Sequence, residues 1–593
     1  MQKEQLAKMM IKRADEYGDA IALKYKTGGT WHEISYKKLG VKIREVAIAL
    51  LDSGIKEGER VAIFSQNRYE WAIADFGIMC VRGISVPFYA TNTREQAEYI
   101  IKDARVRLVF TGAQDQYDKI FSIAESGENH IKIVSFDSDV KLKGNQSVYF
   151  SEFVSSSLGS DKIGELEKRI AASDPDEIAT IVYTSGTTGE LKGVMLTHSN
   201  FSHQAFSVEK NFDVGLGDRS LCFLPLSHVY ERAWSFFIFK CGAMNCYLSN
   251  PKKVIEYMGE VRPNIMVSVP RLYEKIYSTV YNKIEQASFL KRLVFKWAVS
   301  TGREYAFRKK DGKPVDLVLR LSHDLADRLV LRKLREIVGG DKKFFSAGGA
   351  ALSQDIEEFF FSIGILVCQG YGLTESSPMI TCNTPGAFKF GTVGKPVPLC
   401  EVRIDESGEI LARGPNIMKG YLNKPEETEK VIIDGWLRTG DIGEIDNDGF
   451  LKITGRIKDL IVLSTGKNIA PQLIETAVAR DHYIEQIAVF GDSRKYISAI
   501  VVPCFEALEE YARGRGLKWT TWVELTELPE ITNFYMERID VQSRGLAGFE
   551  KIKKFYIHSE EFSQKRGELT PTLKTRRMEV MKKYKDQIEA MYN

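Results

Sequence analysis

Residues 183–193 read YTSGTTGELKG, and their types suit an anion. Glycine lets backbone N–H groups approach an oxyanion closely, hydroxyls add donors, and the closing Lys192 supplies a compact positive charge. The chemistry is that of a phosphate cradle over Thr184, Ser185, Gly186, Thr187, Thr188, Gly189 and Lys192. The run does not obey the P-loop pattern G-x-x-x-x-G-K-[ST]. Counted from Gly186, Leu191 stands where the second glycine belongs and Gly193 where Ser or Thr belongs, so only Lys192 agrees. A nucleotide site of another design is expected, although one Gly/Ser/Thr-rich loop taken alone is more often just a loop.

Five further stretches accompany it in order: LPLSHVYERAW (224–234), SAGGAAL (346–352), QGYGLTES (369–376), GWLRTGDIGEID (435–446) with GRIKDLI (455–461), and LTPTLKTRR (569–577). Each carries a residue with plausible chemistry and an ordinary structural alternative. His228 suits an active site or a satisfied core, Glu375 suits a metal or a helix cap, and Trp234 suits the core better than a gate. The adjacent glycines of SAGGAAL let a flat ring lie against the backbone, and Asp441 can accept two hydroxyls.

The elements that must position these groups are legible in outline. RVAIFSQN, ISVPFYA and VRLVFTG read as strands, with helical runs RYEWAIADFGIMCVRG and TREQAEYIIKDA between them. That alternation predicts an α/β lobe with largely parallel strands, and DEIATIVYT hangs the opening loop from a strand end. Ligands of open α/β sheets gather at such ends. VMLTHSNFSHQAFSVEK resumes a strand and starts a helix near Ser199. EVRIDESGEILARGPNIMKGYL reads as antiparallel strands and turns. A new unit begins near Lys458, where helix and strand patterns suggest a small α+β domain. The predicted organisation is a large lobe of mixed and parallel sheets over 1–457 and a small mobile domain over 458–593.

The 593 residues exceed one compact core. Lys plus Arg number 82 against 79 Asp plus Glu, so no global basic footprint argues for nucleic acid. The eight cysteines include no C-x-x-C pair and read as buried free thiols of a reducing compartment. No uncharged apolar stretch is long enough to span a bilayer; WSFFIFKCGAMNCYL comes nearest, but Lys240 interrupts it. A cytoplasmic protein is expected, with one local exception in charge. Residues 283–335 hold 14 Lys or Arg against six Asp or Glu, an excess of +8. FLKRLVFKWAVSTGREYAFRKK mixes basic and apolar residues at helical spacing, as a solvated face or as a peripheral contact with an anionic membrane.

Taken together, the six motifs resemble those of the adenylate-forming enzymes, the superfamily of acyl-CoA synthetases, luciferases and peptide-synthetase adenylation domains. The resemblance covers nearly the whole chain. LPLSHVYER, VPRLYEKIY and LTPTLK make it most similar to the long-chain fatty-acid CoA ligases. It implies activation of a fatty acid by ATP through an acyl-adenylate, then transfer to CoA, with Mg²⁺ as cofactor. It places the β- and γ-phosphates on the loop from Thr184 to Lys192, Mg²⁺ on Glu375 with Thr184, and the α-phosphate on Thr374. Gly349, Ala350 and Tyr371 would line the adenine pocket, and Asp441 and Arg456 would face the ribose. His228 falls in the motif at the active site. Lys574 would bridge carboxylate and phosphate, with Lys565 and Lys554 as alternatives because Leu573 stands where many relatives have glycine. Lys458 falls at the hinge, and Gly466 borders the CoA channel. At Gly372, where acetate-activating relatives carry Trp, glycine is expected to leave the acyl pocket open to a longer chain, each buried methylene adding about 0.8 kcal/mol. Medium-chain or aryl acids would also fit. The rival readings are an enzyme delivering its acyl group to a carrier protein and a silent acyl-binding membrane scaffold.

Overall fold

The computed structural model describes residues 3–127, 131–185, 190–570 and 575–593. Among them the β-branched runs assemble into two large sheets. The first orders its strands Gly420–Tyr421, Leu191–Thr197, Ile178–Ser185, Ile84–Phe88, Arg60–Phe64, Val106–Thr111, Lys132–Ser135 and Ser147–Tyr149. Its middle is parallel, because helices link successive strands. It turns antiparallel where Ile178–Ser185 pairs with Leu191–Thr197. Those two strands flank the Gly/Ser/Thr loop and set Thr184 opposite Lys192. Thr197 caps the helix His198–Asn211 and, with Asn200, closes a capping box, so the helix starts one residue before Ser199.

The second sheet runs from Thr30–Ser35 through Ile21–Thr27, Met244–Tyr247, Arg219–Cys222, Ile265–Ser268, Phe344–Ala347 and Val367–Gly372 to Met379–Cys382 and Lys395–Pro396. Phe344–Ala347 and Val367–Gly372 are parallel neighbours, so SAGGAAL and QGYGLTES leave the sheet side by side at its C-terminal edge. The helix Tyr69–Cys80 is buried on nearly every side, which explains why its apolar pattern has no clear polar face. WSFFIFKCGAMNCYL is a buried helix and strand, and no described helix is long and apolar enough to cross a membrane.

A third, antiparallel sheet contains Glu401–Ile404, Glu409–Arg413, Trp436–Ile445 and Leu451–Arg456. Beyond Arg456 the 3₁₀ turn Ile457–Asp459 carries the exposed Lys458. The strands Ile484–Phe490, Ile497–Pro503 and Ile552–Ile557 then form a small mixed sheet. Ile474, Val489, Val501 and Tyr535 centre a hydrophobic core belonging to this C-terminal unit, the usual mark of a domain. Ion pairs Arg271–Glu485 at 2.6 Å and Arg480–Asp355 at 2.9 Å join it to the lobe. All eight cysteines are free, and six are buried.

Candidate active site

The adenine and ribose candidates converge. Tyr371 ends a parallel strand, and Asp441 and Arg456 face each other across the antiparallel pair Trp436–Ile445 and Leu451–Arg456. The Tyr371 hydroxyl donates to Asp441 Oδ2 at 2.7 Å, and Arg456 Nε lies 2.9 Å from Oδ1. Burial, and then the Asp441 charge, push the Tyr371 phenol well up, so it stays a donor. Each Asp441 oxygen keeps acceptor capacity beyond these bonds. Gly349 and Ala350 are exposed just past the neighbouring strand Phe344–Ala347, with Gly349 at φ +83°, a conformation that favours glycine.

The metal and phosphate candidates meet through residues that the sequence did not single out. Thr374 and Glu375 lie in the half-buried 3₁₀ turn Thr374–Ser376. Tyr421, on the strand beside Leu191–Thr197, donates its hydroxyl to Glu375 Oε1 at 2.9 Å. The Lys192 ammonium sits 5.0 Å from the centre of the same ring and 2.7 Å from Glu427 Oε2. Hydrogen bonds from Lys192 and Lys430 hold the Glu427 carboxyl down to about 2. A phosphate drawing on Lys192 must therefore compete with Glu427. Tyr421 and Glu427 escaped sequence reasoning because nothing local links them to their partners: Tyr421 is 46 residues from Glu375, and Glu427 is 235 from Lys192. Gly186, Thr187, Thr188 and Gly189, the Ser185 side chain, and Lys574 lie outside the described residues.

His228 is the N-cap of the helix Val229–Lys240, its Nδ1 accepting from the Tyr230 N–H at 3.2 Å. That bond puts the proton of the neutral ring on Nε2. The next residues brace the segment. Glu231, fully buried, accepts from the Leu224 N–H, while Asn67 donates to the Leu224 carbonyl at 2.6 Å and accepts from the Leu226 N–H at 2.9 Å. Burial raises the Glu231 carboxyl to about 8. Trp234 is core: it is buried against Phe237 and Phe344 and bonded to Ser220 Oγ at 2.9 Å.

A model of the AMP-binding enzyme family matches residues 11–422, and one of the AMP-binding enzyme C-terminal domain matches 458–593. The chain belongs to the AMP-binding enzyme family. It is 33% identical over its whole length to the long-chain-fatty-acid–CoA ligase FadD15 of Mycobacterium bovis, covering 97% of that protein. It is 31% identical, over 98% of its length and 82% of the relative, to the long-chain-fatty-acid–CoA ligase ACSBG2 of Xenopus laevis. Its fold matches the adenylation domain of a carboxylate reductase from Mycobacterium chelonae, with a TM-score of 0.76 at 20% identity, covering all of this chain and 92% of that one. The large lobe and smaller C-terminal domain are those of adenylate-forming enzymes.

One expectation for this AMP-binding enzyme is corrected. Gly372 does not open onto free space: a Cβ there would lie 1.7 Å from the Pro378 carbonyl oxygen and 3.0 Å from the Met379 Cα. Backbone fills the direction a side chain would take, at the irregularity where Val367–Gly372 pairs with Met379–Cys382. That close approach by itself requires glycine here. Gly372→Ala is expected to overpack the turn bearing Thr374 and Glu375, at a cost of about 1–3 kcal/mol. Scanning calorimetry should show a melting temperature a few degrees lower.

Around the ribose candidate, Asp441→Asn should weaken ATP binding by about 10- to 100-fold, the range for a hydrogen bond to a charged group. Titration calorimetry with ATP checks this, and unchanged affinity removes Asp441 from the site.

Proposed function

We propose that this AMP-binding enzyme joins a long-chain fatty acid to CoA, with ATP converted to AMP and pyrophosphate. The observation that carries the reading is the Tyr371–Asp441–Arg456 constellation, its first two members buried, beside the turn holding Thr374 and Glu375. The names of the relatives supply the acid and the acceptor.

A carboxylate is a poor electrophile, so its oxygen attacks the α-phosphorus and the bond to pyrophosphate breaks. CoA then attacks the acyl carbon as a thiolate, forming the thioester and releasing AMP. Two anions must first be held together, and oriented donors at the developing charge are worth about 3 kcal/mol each. Asp441 and Tyr371 hold the nucleoside end. Thr374 serves the α-phosphate, and Thr184, Lys192 and the intervening loop serve the leaving pyrophosphate. His228, in the segment braced by Glu231 and Asn67, belongs to the same active-site motif.

The donor set suits Mg²⁺. Glu375 has one oxygen held by Tyr421 and none of the described residues bonded to the other, and magnesium takes one or two carboxylates plus substrate phosphates. Thr184 would assist Glu375. The ion would neutralise phosphate charge.

The same reading divides the chain into an adenylation lobe over 1–457 and a small domain over 458–593 that turns about Lys458. Gly466, in the exposed turn between Ile461–Val462 and Asn468–Ile469, would then border the pantetheine channel. Incubation with ATP, Mg²⁺, palmitate and CoA, followed by assay of AMP and thioester, tests the function. AMP and palmitoyl-CoA are expected in equal amounts. Adenylate without thioester would point to a carrier-protein acceptor, and neither product would overturn the assignment. A peripheral membrane contact through the basic segment 283–335 would accompany this activity without entering the reaction.

A further inference from the structure

The helices Phe289–Lys310 and Leu317–Ala326 lie against each other on the lobe. A helix on a globular surface has one apolar face, turned inward. Each of these has two. In the first, Phe295, Ala298 and Gly302 are buried. Phe289, Leu290, Leu293 and Trp297 project from the opposite side and are exposed by 75%, 68%, 54% and 37%. In the second, Leu319 and Ala326 face inward, whereas Leu317, Leu321 and Leu325, at the i, i+4, i+8 spacing of one stripe, are exposed by 68%, 60% and 51%.

The charges beside these stripes are mostly basic, with the exposed Asp324 of the second helix as the exception. Lys291, Arg292 and Lys296 on the first helix, and Arg320, Arg328 and Lys333 on and after the second, are exposed. None of the six has a carboxylate partner within ion-pair distance among the described residues. Other cations of the segment are paired, such as Arg303 with Glu358 and Arg335 with Asp327. The +8 excess between 283 and 335 is therefore concentrated next to the exposed leucines. A second copy of this chain would bring an equal positive charge onto the patch. An anionic bilayer supplies both complements, headgroup charge for the cations and an acyl boundary for the leucines.

We propose that the paired faces of Phe289–Lys310 and Leu317–Ala326 form a docking surface for an anionic lipid bilayer. The helices lie in the interface plane, with Trp297 and the leucines at the acyl boundary and the basic residues among the headgroups. This contact is independent of the ligase reaction and is measured without ATP, CoA or acid.

The test is co-sedimentation of the full-length protein with phosphatidylcholine vesicles containing 30% phosphatidylglycerol or none. Binding should be at least tenfold stronger with the anionic lipid and should fall about tenfold between 50 mM and 500 mM salt as screening grows. Leu321→Glu with Leu325→Glu should reduce it at least tenfold with the melting temperature unchanged, as should Lys291→Glu with Lys296→Glu. Brominated lipid should quench tryptophan fluorescence in the native protein and not in Trp297→Phe, which keeps the apolar face. Equal binding to neutral vesicles, insensitivity to these variants, or quenching retained in Trp297→Phe would overturn the proposal. A concentration-dependent dimer that these variants abolish in analytical ultracentrifugation would overturn it in favour of a second copy of the chain.

Discussion

Lys574→Ala abolishes acyl-adenylate formation from ATP and fatty acid, on the expected result, while thioester formation from CoA and added acyl-adenylate persists. The attacking carboxylate and the α-phosphate repel each other, and a cation between them acts only while both are present. Removing such a group costs on the order of 10²- to 10³-fold in rate, by analogy with single oxyanion-hole donors. The second half-reaction has a neutral thioester product and no α-phosphorus attack, so it does not need the same charge. Lys574 lies outside the described residues, but its neighbours are tied down: Leu569 pairs with Thr575, and Arg577 bonds Glu475 at 2.7 Å. The alternatives differ in setting. Lys554 lies on the strand Ile552–Ile557, its ammonium on the Asn593 carbonyl at 3.2 Å, and Lys565 is exposed near the turn at Gly567. Alanine at either should leave both half-reactions within about threefold, well below the loss of a charge-stabilising donor. Loss of adenylation in Lys565→Ala with retention in Lys574→Ala would transfer the role.

The second large effect is on stability. Asp75 and Arg232 are each 1% exposed, with Arg232 Nε donating to Asp75 Oδ2 at 2.9 Å. The other guanidinium arm donates to Thr180 Oγ1 at 2.6 Å, and Thr180 donates to the Ser85 carbonyl at 2.7 Å. The guanidinium also stands 5.4 Å from the Trp71 ring. This network ties the helices Tyr69–Cys80 and Val229–Lys240 to the strand Ile178–Ser185, which leads into the Gly/Ser/Thr loop. Burial, aided by the Arg232 charge, pushes the neighbouring His198 down to about 3, so the cluster holds no second cation at neutral pH. Asp75→Leu or Arg232→Met leaves one buried charge uncompensated, a cost of about 3–5 kcal/mol. Each single variant should melt well below the native protein in scanning calorimetry. The double variant should recover most of the loss, because it removes both desolvation costs together. Single variants that melt like the native protein would show that the pair is not structural.

How much could be read in advance follows from the range of each interaction. The parallel lobe was legible because ISVPFYA, VRLVFTG and DEIATIVYT alternate with helical patterns, and strand periodicity is a local property. The identities of Tyr371, Asp441 and Arg456 as a group came from ordered motifs, and the structure brings their side chains into one hydrogen-bonded cluster. Gly372 shows the opposite case. Its residue type was plain, but its meaning depended on the Pro378 carbonyl that faces it.

By itself, the sequence determined the family, the order of motifs and the residue types available for phosphate, metal and ribose. These are carried by spacing within short segments, where the chain's own geometry limits the choices. Only the tertiary structure decided which partners those residues have. Tyr421 reaches Glu375, Glu427 engages Lys192, Asp75 neutralises Arg232, and the leucines of Leu317–Ala326 face outward. Contacts between residues tens to hundreds of positions apart follow from how sheets and helices pack, and no local pattern encodes them. The outward face of that last helix is such a case. Its apolar residues look like core in the sequence, and only the position of the rest of the lobe shows which of them are left uncovered.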